Sequence, residues 1–404
     1  MTAPVTPTVL DPAGRDLHAE NDRLRAAHPC AALLELPGGI RAWAPTSYEV
    51  LKGLLADARV SKDPNRHWPE WIAGEHRQSW IVNWVGVSNM FNAYGTDHRR
   101  LRTLIAPAFT KRRTDVLRPR IEQIAGELLD AMAAAPDGRA DLRSAYAHPL
   151  PMQVICELFG VPEEQRADAA RLVAGIMDTT VTPEQALAIL QGVQQLLGAL
   201  VEAKRAQPGD DLTSALIATR DDAGSGLTEQ ELIDTLLLVI GAGHETTVNL
   251  VGNAAQALLT HPEQLARVRS GEIPWSEVIE ETLRWAPSIA NLPLRYAVED
   301  IYLPDGTRIA AGEAILASYA AAGRDPRRHG PDADRFDIAR ADKEHLAFGH
   351  GVHFCLGAPL ARLEATIALP ALFDRFPGLA LEDGATHVES FIGYGYGSLP
   401  VRLN

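Results

Sequence analysis

The chain has 404 residues, 46% hydrophobic and 22% charged, the balance of a globular protein with a large core. A formal net charge of −14 repels phosphate backbones and argues against nucleic acid as a partner. Three scattered cysteines, Cys30, Cys156 and Cys355, make no disulfide framework and fit a reducing cytosol.

The first residues are polar and broken by Pro4 and Pro7. They lack the apolar stretch of a signal peptide, and residues 1–12 are expected to be flexible. Ala32–Leu36 and Ile40–Trp43 flank Pro37-Gly38-Gly39 and predict a hairpin. Helical patterning dominates from Ser47 to about Arg269. Trp68, Trp71, Trp80 and Trp84 fall in one stretch of it. They could roof a pocket, but ordinary packing of a long segment is the better reading for most of them. In Asp97-His98-Arg99-Arg100-Leu101-Arg102, His98 and Arg102 share a helix face and offer donors suited to carboxylates; surface charge is the plain alternative. Arg99, Arg100, Lys111, Arg112 and Arg113 form a basic cluster, either a docking patch for an acidic protein or a solvated helix face.

Thr228 and Glu231 have the spacing of a capping box, and good helix-forming sequence follows to about Leu259. That is a helix of about 45 Å at 1.5 Å per residue. Its first half is apolar nearly all round, which predicts burial in the middle of a domain. The most apolar run, Leu232 to Gly243, is interrupted by Asp234 and too short to cross a bilayer. Within this helix lies Gly241-Ala242-Gly243-His244-Glu245-Thr246-Thr247. Paired glycines are costly in a helix interior. The Thr246 hydroxyl can return to the Ala242 carbonyl, loosening and bending the helix beside a small ligand. Glu245 and Thr246 then offer the carboxylate and hydroxyl of a proton relay. A kink packed closely on glycine accounts for the same residues.

Glu281 and Arg284 stand at i,i+3, a spacing that by itself describes an exposed helix pair. From Leu294 to Ser318 the pattern changes to short strands with turns such as Pro304-Asp305-Gly306. A helix returns from Gly357 to about Phe373, and short strands close the chain between Tyr394 and Leu403. The fold class expected is mainly α with a minor β part.

The segment Phe348-Gly349-His350-Gly351-Val352-His353-Phe354-Cys355-Leu356-Gly357 is the most informative. Cys355 precedes a helix start, where unpaired N–H groups and the helix dipole favour a thiolate. Gly349 and Gly351 allow a tight turn around the sulfur, and Phe348 and Phe354 are expected to keep water away. A buried structural cysteine fits these residues too. Zinc on His345, His350, His353 and Cys355 fits poorly, because paired zinc-ligand spacing is lacking.

Phe-Gly-x-Gly-x-His-x-Cys-x-Gly resembles the haem-binding signature of the cytochrome P-450 superfamily. Ala-Gly-x-Glu-Thr resembles that family's oxygen-activation motif, and Glu281-Thr282-Leu283-Arg284 its buried Glu-x-x-Arg pair. The resemblance implies one cytochrome P-450 domain over residues 1–404, with haem b between the long central helix and the cysteine loop. It implies Cys355 as axial iron ligand, whose thiolate favours O–O cleavage. Phe348, Gly349, Gly357 and Ala242 would line the haem, and His98, Arg102, Arg295 and His353 would hold its propionates. Glu245 and Thr246 would deliver protons to bound dioxygen, and Glu281 with Arg284 would be structural. By position in the resembled fold, substrate contacts would come from Met90, Phe91, Val239, Ile289, Leu292 and Tyr396. Ala93-Tyr94-Gly95-Thr96 departs from the family's commoner Asp-Pro-Pro-Glu, which weakens the alignment just before His98.

Ser61-Lys62-Asp63, His67-Trp68-Pro69 and Glu344-His345-Leu346-Ala347 look like the actinobacterial P-450 family numbered 154, whose members hydroxylate steroids or macrolide rings. A cytoplasmic monomeric monooxygenase of a bulky apolar substrate follows, a steroid first and a macrolide or other polyketide second. No Gly-x-Gly-x-x-Gly motif is present, since Gly349-His350-Gly351 begins one but has Phe354 at its last position, and there are too few cysteines for an iron–sulfur cluster. Electrons would therefore come from a separate ferredoxin and its reductase, with no membrane anchor. A haem protein that binds gas or carries electrons remains the alternative from another class, and it would not need Glu245-Thr246. A zinc hydrolase is the remote one.

Overall fold

The computed structural model describes residues 6–177, 183–220 and 224–404. Helices dominate, with a six-stranded mixed sheet on one side and three smaller sheets. The larger sheet runs in the order Thr8–Val9, Ala31–Leu36, Ile40–Pro45, Ala314–Ser318, Asn291–Ala297, Val60–Ser61. The predicted hairpin is present, in register from Leu36 opposite Ile40 to Ala31 opposite Pro45. Thr8–Val9 pairs in parallel with Leu34 and Glu35, and Leu10 is buried. The expected flexible stretch over residues 1–12 is therefore corrected for residues 8–10: backbone pairing and burial of Leu10 hold them. Residues 1–5 lie outside the described residues.

Trp68 and Trp71 are buried and stacked on one another, and Trp68 also stacks on Tyr296. Trp80 donates its indole N–H to the Pro37 carbonyl at 2.8 Å. All four tryptophans pack with the sheet's apolar face, so packing is what this segment does.

The central helix spans Glu229–Thr260, and both bonds of the Thr228/Glu231 capping box are made. Its first half packs on helices Pro149–Phe159 and Pro183–Ala206 through Leu232, Leu236 and Ile240. This half is buried at Leu232, Leu236 and Ile240, as its apolar sequence predicts. Thr247–Ala255 are buried without a break, whereas Leu237, Leu238 and Val239 are half-buried. The second half is enclosed with Pro149–Phe159, Arg118–Ala133 and Ala358–Arg375 in the largest apolar cluster. Asn253 tolerates that burial by donating to the Ala286 and Tyr394 carbonyls, both at 3.0 Å. Among the described residues, no helix is long and apolar enough to cross a membrane.

Candidate active site

The cysteine loop is a set of tight backbone bonds. Gly349 N–H donates to Leu346 O at 2.8 Å, and Cys355 N–H to Phe348 O at 2.9 Å. Gly349 and Gly351 have φ of +73° and +72°, the left-handed region that glycine enters freely. A Cβ on Gly351 would stand 2.8 Å from the Leu55 carbonyl oxygen, so the loop leans directly on helix Tyr48–Ala56. Cys355 is half-buried, two residues before Gly357, the N-cap of helix Ala358–Arg375.

The lowered thiol pKa expected from this helix start is not found. Burial pushes the Cys355 thiol up, outweighing the Gly357 and Ala358 N–H groups and the charges of Arg102 and Arg362. A metal ion bound to the sulfur would remove the thiol proton outright. Phe348 lies half-buried under the Arg362 guanidinium, 4.6 Å from its ring centre. Phe354, expected to exclude water, is 42% exposed and turns outward with Val352. Among the described residues, His345, His350, His353 and Cys355 form no group able to share an ion, which removes the zinc arrangement. His345 is instead bonded to Glu280 at 3.1 Å.

The four expected carboxylate-binding residues come together. The His98 and His353 rings lie 4.1 Å apart, and Arg102 donates to the Phe354 carbonyl at 2.8 Å. Arg295 and His98 are buried, and Arg295 Nε and His98 Nε2 have no partner. Burial holds His98 down at about 4, with Arg102 and Arg295 adding to the effect. Burial drives His353 lower still, followed by the charges of Arg295, Lys62, His98 and Arg102. A partly buried basic cluster beside a cysteine loop suits a group with two carboxylates and a metal, and haem fits on both counts. Lys62 belongs to this cluster and was used in the sequence only as texture. Nothing in Ser61-Lys62-Asp63 signals burial, because its position depends on strand pairing with Asn291–Ala297.

On the central helix, Thr246 Oγ1 donates to Ala242 O at 2.7 Å, as expected, and Thr247 Oγ1 to Gly243 O at 3.1 Å. The helix nevertheless continues unbroken through these residues. A Cβ on Gly243 would touch Ile155 at 3.4 Å, whereas Gly241 has nothing within 4 Å. Close packing thus requires glycine at neither position. Ala242 is exposed in the middle of a largely buried helix. Glu245 is clamped by Arg143, whose Nη2 donates to both carboxylate oxygens at 2.9 and 3.1 Å. Arg143 also donates to the Tyr396 carbonyl at 3.0 Å. Arg143 was missed: it sits in the π-helical turn Arg143–Ala147, a hundred residues away with no motif around it.

Glu281 and Arg284 form a fully buried pair at 2.6 Å. Among the substrate candidates, Met90 and Val239 pack on one apolar cluster and Ile289 and Leu292 on another. Phe91 lies under the Lys62 ammonium, 3.5 Å from its ring centre. Tyr396 packs on the largest apolar cluster, with its ring 4.4 Å from His387. The basic patch is smaller than expected, because Arg100 is bound to Glu231 at 2.7 Å. Arg99 and Arg112 are exposed, and the side chains of Lys111 and Arg113 lie outside the described residues.

A family model described as Cytochrome P450 matches residues 275–387. The chain is 46% identical to a 2-hydroxy-5-methyl-1-naphthoate 7-hydroxylase of Streptomyces carzinostaticus, over 98% of this chain and 97% of the relative. The solved structure of CYP154A1 from Streptomyces coelicolor A3(2) superposes with a TM-score of 0.90 at 52% identity, covering 98% of this chain and 100% of that one. Testosterone-bound CYP154C4 from Streptomyces sp. ATCC 11861 superposes with a TM-score of 0.93 at 44% identity, covering 99% of both.

Proposed function

The chain belongs to the cytochrome P450 family and is a monooxygenase; we propose that it binds haem b on Cys355 and hydroxylates a bulky, mostly apolar molecule, a steroid first. The observation that carries the haem reading is the unbalanced basic cluster of buried His98 and Arg295 with half-buried Arg102 and His353, next to the Cys355 loop. The steroid reading draws support from the testosterone in CYP154C4 and from the half-buried apolar side chains of Met90, Val239, Ile289 and Leu292. A macrolide or other polyketide is the second choice.

Bound there, haem supplies dioxygen activation and transfer of one oxygen atom to carbon. The protein's share is positioning, water exclusion and proton supply. Cys355 Sγ holds the iron, and the basic cluster holds the propionates. The Thr246 hydroxyl, already hydrogen-bonded to Ala242, has a lone pair and a rotatable proton to offer beside exposed Ala242. Glu245 cannot swing toward Thr246 while both its oxygens accept from Arg143. Proton delivery through Glu245 therefore requires that clamp to open. Exposed Val352, Phe354, Arg99 and Arg112 offer apolar and basic contacts for a separate ferredoxin, which a reductase would supply with electrons. We place the protein in the cytoplasm as a single-domain monomer.

The reduced, carbon-monoxide-treated protein tests the haem-thiolate assignment. A red-shifted Soret band is expected, and its absence removes the assignment. Titration with testosterone, a macrolide and a substituted naphthoate, read as displacement of the iron-bound water, tests the substrate class. Tightest binding of testosterone is expected, and preference for either other ligand rejects the steroid reading.

A further inference from the structure

Among the described residues, Lys62 is the one lysine with a fully buried side chain, at 1% exposure, and its Nζ has no hydrogen-bond partner. An ammonium in that position is costly unless something negative meets it. Its neighbours do not supply that. The adjacent Asp63 is turned to Arg66 at 3.2 Å and to the Asn65 N–H at 2.9 Å. The ammonium rests on the Phe91 ring, 3.5 Å from its centre, which steadies a cation without neutralising it. Strand Val60–Ser61 pairs antiparallel with Asn291–Ala297, placing Ser61 opposite Tyr296 and Lys62 at the strand end nearest Arg295. The basic cluster thus has five members, and the fifth arrives from a different part of the chain.

We infer that Lys62 is an additional carboxylate partner in this cluster and that the carboxylate is a haem propionate, with Phe91 holding the ammonium against it. The inference rests on the haem reading above. A substrate carboxylate has the same chemistry and is the competing source. The Phe91 ring would let Lys62 act on both sides of the site at once, fixing the haem edge while defining the wall that substrate meets.

The test uses haem-loaded wild type, K62M and K62Q. The first readout is transfer of haem to excess apomyoglobin in the absence of substrate, followed in the Soret region. A lost charge-assisted bond predicts transfer about tenfold faster in both variants. The second is the propionate bending bands in the resonance Raman spectrum, which should shift in both. The third is the binding preference for an aromatic acid over its methyl ester, which should be unchanged. Haem transfer and propionate bands indistinguishable from wild type would overturn the inference. If the preference for the acid is lost at the same time, the occupant is the substrate's carboxylate instead. Should wild type hold no haem, the haem reading itself fails, an outcome visible before any variant is made. Circular dichroism of the loaded variants shows whether they are folded, and the conservative K62Q retains the test if K62M is not.

Discussion

Replacing Arg284 with methionine should come close to unfolding the protein. The guanidinium is fully buried and uses all five of its N–H donors. Two go to Glu281 at 2.8 and 2.6 Å. Three go to the carbonyls of Gly323, Ala333 and Arg335 at 2.7, 2.8 and 2.8 Å. Methionine fills much of the volume but leaves a carboxylate and three carbonyls unmatched. Glu281 would retain the Asp337 N–H at 2.8 Å and Arg340 at 3.7 Å, too little to balance its charge. Breaking one side of a buried pair costs about 3–5 kcal/mol, and each stranded carbonyl costs about 1 kcal/mol or more. The total, roughly 6–8 kcal/mol, is most of the stability of an ordinary domain. Thermal melting followed by circular dichroism should show R284M midpoints lower by about 7–10 °C, or yield no soluble protein. R284K keeps the charge but not the fork, and should lose most of the same stability. An R284M midpoint within about 3 °C of wild type would refute the reasoning, because no set of stranded buried groups could then be as costly as argued.

Three further outcomes are expected. C355S should lose the red-shifted band of the reduced carbon-monoxide complex, and a variant that keeps it would mean that the sulfur is not the iron ligand. T246A should consume reductant without matching product, whereas E245Q should slow product formation by about 10²-fold or more with a larger solvent isotope effect; unchanged coupling in T246A counts against a proton-handling hydroxyl. Burial holds His244 at about 4, below its ordinary 6.5, with nearby His148 adding to the shift. The folded state therefore keeps His244 neutral where the unfolded state is protonated, so its contribution is complete above pH 6.5 and lost as pH falls toward 4, roughly 3 kcal/mol in all. Denaturant midpoints of H244Q should fall less steeply than wild type over that window, and parallel curves would reject the assignment.

The parts of the molecule legible in its sequence were those whose meaning is local. A capping box, a hairpin turn and a glycine-bracketed cysteine each span only a few residues, and each stands where it was expected. Glu245 was legible as a carboxylate at the right place on a helix, but its restraint was not, because Arg143 meets it from another segment. Lys62 was hidden for the same reason: its burial comes from pairing between strands separated by more than two hundred residues. The burial of the central helix was legible in part. Its apolar first half is buried at Leu232, Leu236 and Ile240, as hydropathy implies, whereas Thr247, Asn249 and Asn253 are buried because neighbouring helices enclose them. The cysteine pKa went wrong because a helix start and burial act in opposite directions, and only the second depends on the whole fold.

Glu231 has two duties whose combination reaches beyond either. It closes the capping box of the central helix by accepting from the Thr228 N–H at 2.8 Å. It also receives Arg100 at 2.7 Å from helix Gly95–Ile105, which carries His98 and Arg102 on another side. The helix proposed to hold the haem edge is therefore tethered to the first turn of the helix that carries Glu245 and Thr246. A protein seated over exposed Arg99 would press on that tether. A pull on Arg100 would fray the central helix from its outer end, and arrival of a partner at the surface would be felt as a change in helix length.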